Sequence, residues 1–319
     1  MSIACHPNLP VLISGINSSE ENIKQGINLN CQIFDIENGQ IQFKSKFSTS
    51  TCRNPEEYQK ITRFSRSGNY LVTGISDGRI SVLKKTTTST TQWELCFPSL
   101  RFMNVQDIAI DHHEEHVAIA VSSALIILSI HDGTIVQVID SPKLNKHTTC
   151  EIHACRYGYS SKNQQETLYA VINPISTRGK GFICAWKLRE SRSYPVNKAK
   201  TAGISRKSIT TFTVNPTGDI LAYASTDLSI GLVDAQTLKP ILRIPKAHGF
   251  AITNLCFNPS GRYLASAGAD NNCRVMILPE SINLTHKKYQ AYFIIESIFM
   301  ILDMLLFALL VHIIVQWTL

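Results

Sequence analysis

The residues best suited to chemistry form short clusters, and each can be weighed by what its chemistry would demand. His112-His113-Glu114-Glu115-His116 has the types that ligate a transition metal. A zinc-binding helix needs glutamate directly after the first histidine of an i, i+4 pair, whereas the order here is H-H-E-E-H. Arg178-Gly179-Lys180-Gly181 offers phosphate donors but lacks the first glycine of a P-loop. It leads into a strand-like run, Phe182-Ile183-Cys184-Ala185-Trp186, and so reads as a hairpin turn. The nine cysteines contain no CxxC pair, and Cys150 and Cys155 lack the companion ligands of a zinc knuckle. An odd thiol count without a signal peptide suits a reducing cytosol. No G-x-S-x-G elbow or supported carboxylate pair is present, so the sequence predicts binding without bond-making and no resident metal.

These clusters must be held by a scaffold, and the composition limits which one. Hydrophobic residues make up 44% of the 319 and charged residues 17%, which excludes a disordered or collagen-like chain. The net charge of +7 is spread along the chain and forms no nucleic-acid-binding stripe. The two ends differ. Met1–Pro7 lacks the basic and apolar regions of a secretory signal. Tyr292–Trp317 reads YFIIESIFMILDMLLFALLVHIIVQW, about 39 Å as a helix. Its sixteen Ile, Leu, Phe and Val residues favour insertion by about 7 kcal/mol, against a cost of up to about 3.5 kcal/mol for Asp303. Glu296 and Asp303 share one face of that helix. His286-Lys287-Lys288 precedes the span and no Lys or Arg follows it, so residues 1–288 are expected in the cytosol. The formal sequons Asn17-Ser18-Ser19 and Asn283-Leu284-Thr285 are then unused.

The remaining sequence repeats itself. Copies start at Phe64, Val214 and Phe257, each with Gly at +4 (Gly68, Gly218, Gly261) and Leu at +7 (Leu71, Leu221, Leu264). Each then has Asp at +13 (Asp77, Asp227, Asp270) and an apolar residue at +18 (Val82, Leu232, Val275). A weaker copy begins at Ile110 with Glu114 in the glycine position, which makes the histidine-rich segment a hairpin. Two more begin near Cys5 and Tyr157. The spacing, 43 to 59 residues with several strands per unit, is that of a WD40-type β-propeller. The glycine is a turn residue, the Asp bonds its own turn, and the second strand, as in Tyr263–Ala267, is expected to be packed on both faces. In the Trp-Asp position stand Ile33-Phe34-Asp35, Ala185-Trp186-Lys187 and Leu232-Val233-Asp234. His248 is expected to hydrogen-bond across its blade. Three longer connections interrupt the pattern: Gly15–Asn30, the connector Thr86–Thr91, and a basic loop over 189–208 that could approach anionic lipid.

The expected architecture is therefore all-β: six recognisable blades over residues 1–278, a juxtamembrane linker over 279–291 and a tail-anchoring transmembrane helix over 292–317.

A degenerate propeller followed by one C-terminal span resembles the endoplasmic-reticulum guanine nucleotide exchange factors that activate the small GTPase of the COPII coat, the family that includes the prolactin regulatory element-binding protein. The resemblance rests on Gly15–Gly26, Arg178–Gly181 and, most specifically, Ala247-His248-Gly249-Phe250-Ala251-Ile252-Thr253. It implies an exchange factor at the endoplasmic reticulum membrane that starts ER-to-Golgi budding, with the small GTPase as partner and no nucleic acid. The GTPase-binding residues it implies are Asn17, Glu20, Glu21, Asn22, Lys24, Arg178 and Lys180. The alternative is a membrane-anchored scaffold that recruits coat proteins without catalysis. The family has seven blades, and a Gly/Asn-rich loop on its first blade binds potassium and inserts into the GTPase. This chain shows six units and no matching loop, so potassium is not carried over. Either an N-terminal segment precedes these residues in the natural protein, or the protein binds without exchanging.

Overall fold

The computed structural model describes residues 2–279 except 27, 50–53, 55, 87–91, 145–148, 176–178, 188–199 and 206. Six antiparallel sheets follow one another along the chain. The first contains β1 (Ile3–Cys5), β2 (Val11–Gly15), β3 (Cys31–Glu37) and β4 (Gln40–Phe47), with a short helix α1 (Glu20–Lys24) between β2 and β3. The second contains β5 (Gln59–Phe64), β6 (Tyr70–Ile75), β7 (Arg79–Lys85) and β8 (Trp93–Leu95), with β9 (Leu100–Arg101) also paired to β7. The third contains β10 (Val105–Ile110), β11 (His116–Val121), β12 (Ala124–Ser129) and β13 (Ile135–Asp140). The fourth contains β14 (Cys150–Ser160), β15 (Gln165–Pro174), β16 (Gly181–Lys187) and β17 (Lys200–Ser205). The fifth contains β18 (Ile209–Val214), β19 (Ile220–Ser225), β20 (Ile230–Asp234) and β21 (Pro240–Ile244). The sixth has three strands among the described residues: β22 (Ile252–Phe257), β23 (Tyr263–Gly268) and β24 (Cys273–Ile277).

The first strand of each sheet packs on the first strand of the next: β5 on β1, β10 on β5, β14 on β10, β18 on β14 and β22 on β18. This is the radial arrangement of a six-bladed WD40 β-propeller, with one blade for each repeat read in the sequence. Packing on both faces explains why β6 and β20 are buried at every residue, and β11 and β19 at all but the first. In WD40 fashion His248, only 2% exposed, places Nδ1 3.1 Å from Asp270 and Nε2 2.8 Å from Ser266 Oγ.

The first-to-second-strand turns meet along one end of the ring. The Asn8 amide group donates to the Ser67 carbonyl, and Ser67 N–H donates to Glu114. His112 stacks on Tyr159 at 3.8 Å, and Lys162 pairs with Asp219 at 3.4 Å. Gly68, Gly218 and Gly261 have φ of +80°, +70° and +73°, as the repeat pattern requires. Glu114 holds φ +59° without being glycine, and its carboxylate is engaged by Ser67 N–H and Oγ–H of the preceding sheet. The strained residue thus ties two blades together.

Three expectations are corrected. The β23 strand is packed on one face only: Leu264 and Ser266 are buried, while Tyr263 is 38% exposed and Ala265 and Ala267 are half-buried. Among the described residues no following blade covers it in the manner of sheets 2 to 5. The basic segment 189–208 is not all loop, because Lys200–Ser205 pairs with β16; Thr87–Thr91 of the other connector lies outside the described residues. The Gly15–Asn30 connection contains a helix that the strand repeat did not announce. Among the described residues no helix is long and apolar enough to cross a membrane, and the predicted span 292–317 lies outside them.

Two turn glycines, Gly78 between β6 and β7 and Gly39 between β3 and β4, give a test of the packing. Gly78 has φ +88°, and a Cβ there would strike the Phe102 carbonyl oxygen. Gly39 has φ +76° with open space around it. Gly78→Ala is expected to cost about 2–3 kcal/mol and Gly39→Ala about 1 kcal/mol, read as urea midpoints by tryptophan fluorescence. Equal costs would contradict the close approach.

Candidate protein-binding end

Because the turns above occupy one end of the ring, the second-to-third-strand loops and the links between sheets share the other. The first of these loops, Ile16–Asn30, is built from its root upward. Ile16 N–H donates to the Asn30 carbonyl at 2.9 Å and closes the loop. Asn30 is buried and exchanges hydrogen bonds with Thr49, whose Oγ1–H also reaches Gln59 of β5 at 3.0 Å. Buried Ser18 accepts from Leu29 N–H at 3.2 Å. Ser19 then caps α1 by accepting from Asn22 N–H, with Glu20 and Glu21 in the first turn and Lys24 in the last, each favourable to the helix dipole. Asn17, Glu20, Glu21 and Lys24 are exposed, and Asn22 is half-buried.

The fourth sheet brings Lys180 to the same end. Lys180 is exposed beside Gly181, whose N–H donates to the Lys207 carbonyl at 3.1 Å. Arg178 lies outside the described residues. Sheets 1 and 4 are three blades apart, so the α1 residues and Lys180 share an end of the ring and do not form one patch. Sequence reasoning missed three further features of this end. Met103, Ile175 and Phe250 are 80%, 57% and 67% exposed, and all stand on its loops. Each is a single large apolar residue in a turn-rich connection, the pattern that could have revealed them.

Three of the cysteines are held in the core. Burial pushes the Cys31 and Cys184 thiols up to about 12, and Cys155 higher still, which leaves them inert. Among the described residues no group of three His, Cys, Asp or Glu could hold a metal ion. The histidine-rich segment is the β10–β11 turn, as its repeat position implied: Asp111 accepts from the Glu115 and His116 amides, and Glu166 accepts from His112 N–H at 2.7 Å. In the Ile16–Asn30 loop the Ser19, Glu21, Asn22 and Ile23 carbonyls accept from Ile23, Gln25 and Gly26 N–H groups, the hydrogen bonds of α1.

Comparison with known proteins supports the fold and finds distant relatives. Residues 239–275 match the "WD domain, G-beta repeat" family. The β-propeller domain of Myceliophteria thermophila Cps50 (Swd1) superposes with a TM-score of 0.53 at 18% identity, over 72% of this chain and 68% of that one, which shows the fold alone. The Candida glabrata guanine nucleotide-exchange factor SEC12 is 22% identical over 84% of this chain and 56% of its own length. The chain is a distant relative of the SEC12-like proteins. Arabidopsis thaliana SEC12-like protein 2 is 25% identical over 70% of the chain and 52% of its own length. The putative guanine nucleotide-exchange factor SED4 of Saccharomyces cerevisiae is 30% identical over 28% of the chain and 8% of its own length. The chain thus spans about half the length of SEC12 and of SEC12-like protein 2.

The turn end carries a titratable link. The hydrogen bond that His116 Nδ1–H donates to Asp111 holds the imidazolium above its ordinary pKa of 6.5, against the opposing effect of burial. A raised folded-state value gives stability that is fully present below about 6.5 and lost as pH rises through the folded value. The stability advantage of the wild type over His116→Gln, read as the difference in urea midpoints, is expected to shrink between pH 6 and pH 8. A difference that does not change with pH would contradict the assignment.

Proposed function

We propose that the propeller is a guanine nucleotide exchange factor for a COPII-type small GTPase at the endoplasmic reticulum membrane. The observation that carries this reading is the alignment with a SEC12 exchange factor along 84% of the chain. The geometry is consistent with it: a rigid ring exposes a capped acidic-basic helix, a lysine and three apolar side chains at one end. Exchange needs only differential binding. A ten-thousandfold weakening of GDP corresponds to about 5.5 kcal/mol of preference for the nucleotide-free GTPase. In this reading α1 grips the partner with Glu20, Glu21 and Lys24, Lys180 holds a second point across the ring, and residues 292–317 confine the reaction to one membrane.

Full-length protein in detergent is expected to accelerate mant-GDP release from the COPII GTPase. The triple substitution Glu20→Ala, Glu21→Ala and Lys24→Ala should lower that rate about tenfold with little loss of stability, since these side chains are exposed. No acceleration by the wild type at micromolar concentration overturns the reading.

A second reading, a non-catalytic scaffold, is favoured by one observation. The outer strands β4 and β13 expose Ile41, Phe43, Ile135, Val136 and Val138, as strand edges that accept a partner strand do. It predicts capture of the GTPase with no change in release rate. Under either reading the chain should stay with membranes through an alkaline carbonate wash, and its release would remove residues 292–317 from the account.

A further inference from the structure

The first strands of the sheets face the ring axis and carry a polar cluster there that the proposed exchange does not use. Asp107 of β10 is its centre. Oδ1 accepts from Arg63 Nη2 of β5 at 3.2 Å and from Ile108 N–H at 2.9 Å. Oδ2 accepts from Cys155 N–H at 3.2 Å and from Arg156 Nη1 of β14. Two donors on each oxygen fill this carboxylate, so one negative charge serves two guanidiniums of about five N–H donors each. Among the described residues Arg63 Nη1 otherwise reaches the Thr62 carbonyl at 3.3 Å, and Arg156 Nη1 the Cys155 carbonyl at 2.5 Å. The buried Arg63 Nε has no partner among the described residues.

The other first strands described around the axis add no compensating charge beside the pair. β1, β18 and β22 contain no charged residue. Glu151 is exposed on β14 five residues before Arg156, about 15 Å along the strand. Lys60 of β5 adds a further cation, its Nζ donating to the Val105 carbonyl at 2.9 Å. The positive charge of Arg156 is the largest influence holding the Arg63 guanidinium below its usual pKa, and Cys256 of β22 feels both arginines across the axis. The arginine side chains remain 35% and 21% exposed, while Asp107 is 8% exposed. Unused donors on accessible, mutually repelling guanidiniums are the requirements for capturing an oxyanion.

We infer that Arg63 and Arg156 form an axial oxyanion site, which takes a phosphate or carboxylate group through paired guanidinium hydrogen bonds. Asp107 positions the two forks, and Ile108 and Cys155 position Asp107. The group could arrive as a free ion or on a peptide side chain. The chemistry is shared, and the probe distinguishes the sources.

The test is thermal unfolding of the full-length protein in detergent, with phosphate, acetate or chloride at matched ionic strength. Phosphate at about twenty times its Kd should raise Tm by about 3–5 °C over chloride. Arg63→Gln should abolish the difference, whereas Lys60→Gln should retain it, since the Lys60 ammonium is engaged by the Val105 carbonyl and supplies no donor to the fork. If Arg63→Gln does not fold, Arg156→Lys, which keeps the charge and loses the fork, should reduce the phosphate shift at least twofold. Saturable broadening of the phosphate ³¹P resonance by wild-type protein should accompany the shift. A capped phosphoserine tripeptide that gives the same shift identifies a side chain as the natural source, and a shift from the free ion alone identifies a small ion. Equal Tm in all three salts, or a phosphate shift that survives in both arginine variants, overturns the proposal.

Discussion

A sheet whose middle strands are apolar on both faces is stable only between two other sheets, and this constraint organises the molecule. Neighbouring residues of one strand belong to different cores. Val72 joins Ile108, Val117 and Ile119 between sheets 2 and 3, while Leu71 joins Ile13 and Ile33 between sheets 1 and 2. Ala118 and Ala120 face Leu168, Ala170 and Ile172, whose own neighbours Tyr169 and Val171 face Phe212 and Leu221. Each large apolar side chain contributes about 1.5–3 kcal/mol only when both sheets are in place. Small residues such as Ala118, Ala120 and Ala170 let the sheets approach closely, and removing one sheet would strip two cores at once.

That cooperativity separates the two ends of the ring by task. At the turn end, side chains are consumed in holding one blade to the next, from Asn8 and Ser67 through Glu114, His112 and Tyr159 to Lys162 and Asp219. At the opposite end the loops differ from blade to blade and carry exposed charge and exposed apolar residues. Sequence at the turn end is constrained by neighbouring blades, whereas sequence at the loop end is free to fit a partner.

The repeat was legible because glycine at +4, leucine at +7 and aspartate at +13 each answer one local requirement: a left-handed turn, a core position and a self-bonded turn. The copy at Ile110 lacks that glycine, and its position was still readable because Val117 and Leu128 kept the core spacing. Helix α1 was not legible, since a capped five-residue helix inside a polar connection has no apolar stripe to announce it. Strand β17 was hidden because its Lys200-Thr201-Ala202-Gly203 sequence has weak strand character and takes its conformation from pairing with β16. The open face of β23 was illegible for a different reason. Its residues match those of buried strands, and whether a sheet lies beside it is a property of the ring. The common end of α1 and Lys180 follows from topology alone, but their separation across the ring required the order of the blades.

The rigidity of the α1 loop decides whether such an end can do work on a partner. A loop that must be ordered on binding loses part of its interaction energy to conformational entropy. Here the root is already fixed, because Asn30 bonds Thr49, Thr49 bonds Gln59, and Ser81 Oγ–H donates to the Thr49 carbonyl at 2.6 Å. These groups are buried, and leaving any one unpaired costs about 1–3 kcal/mol, so the network resists opening. Because Gln59 and Ser81 belong to sheet 2, the loop of sheet 1 is fastened to its neighbour as well as to its own strands. Force applied to α1 is then borne by two blades and their shared core of Ile13, Ile33, Leu71 and Leu83. A deformable partner that binds such an end must change its own shape, which is the mechanical condition for dislodging a nucleotide without any acid, base or nucleophile.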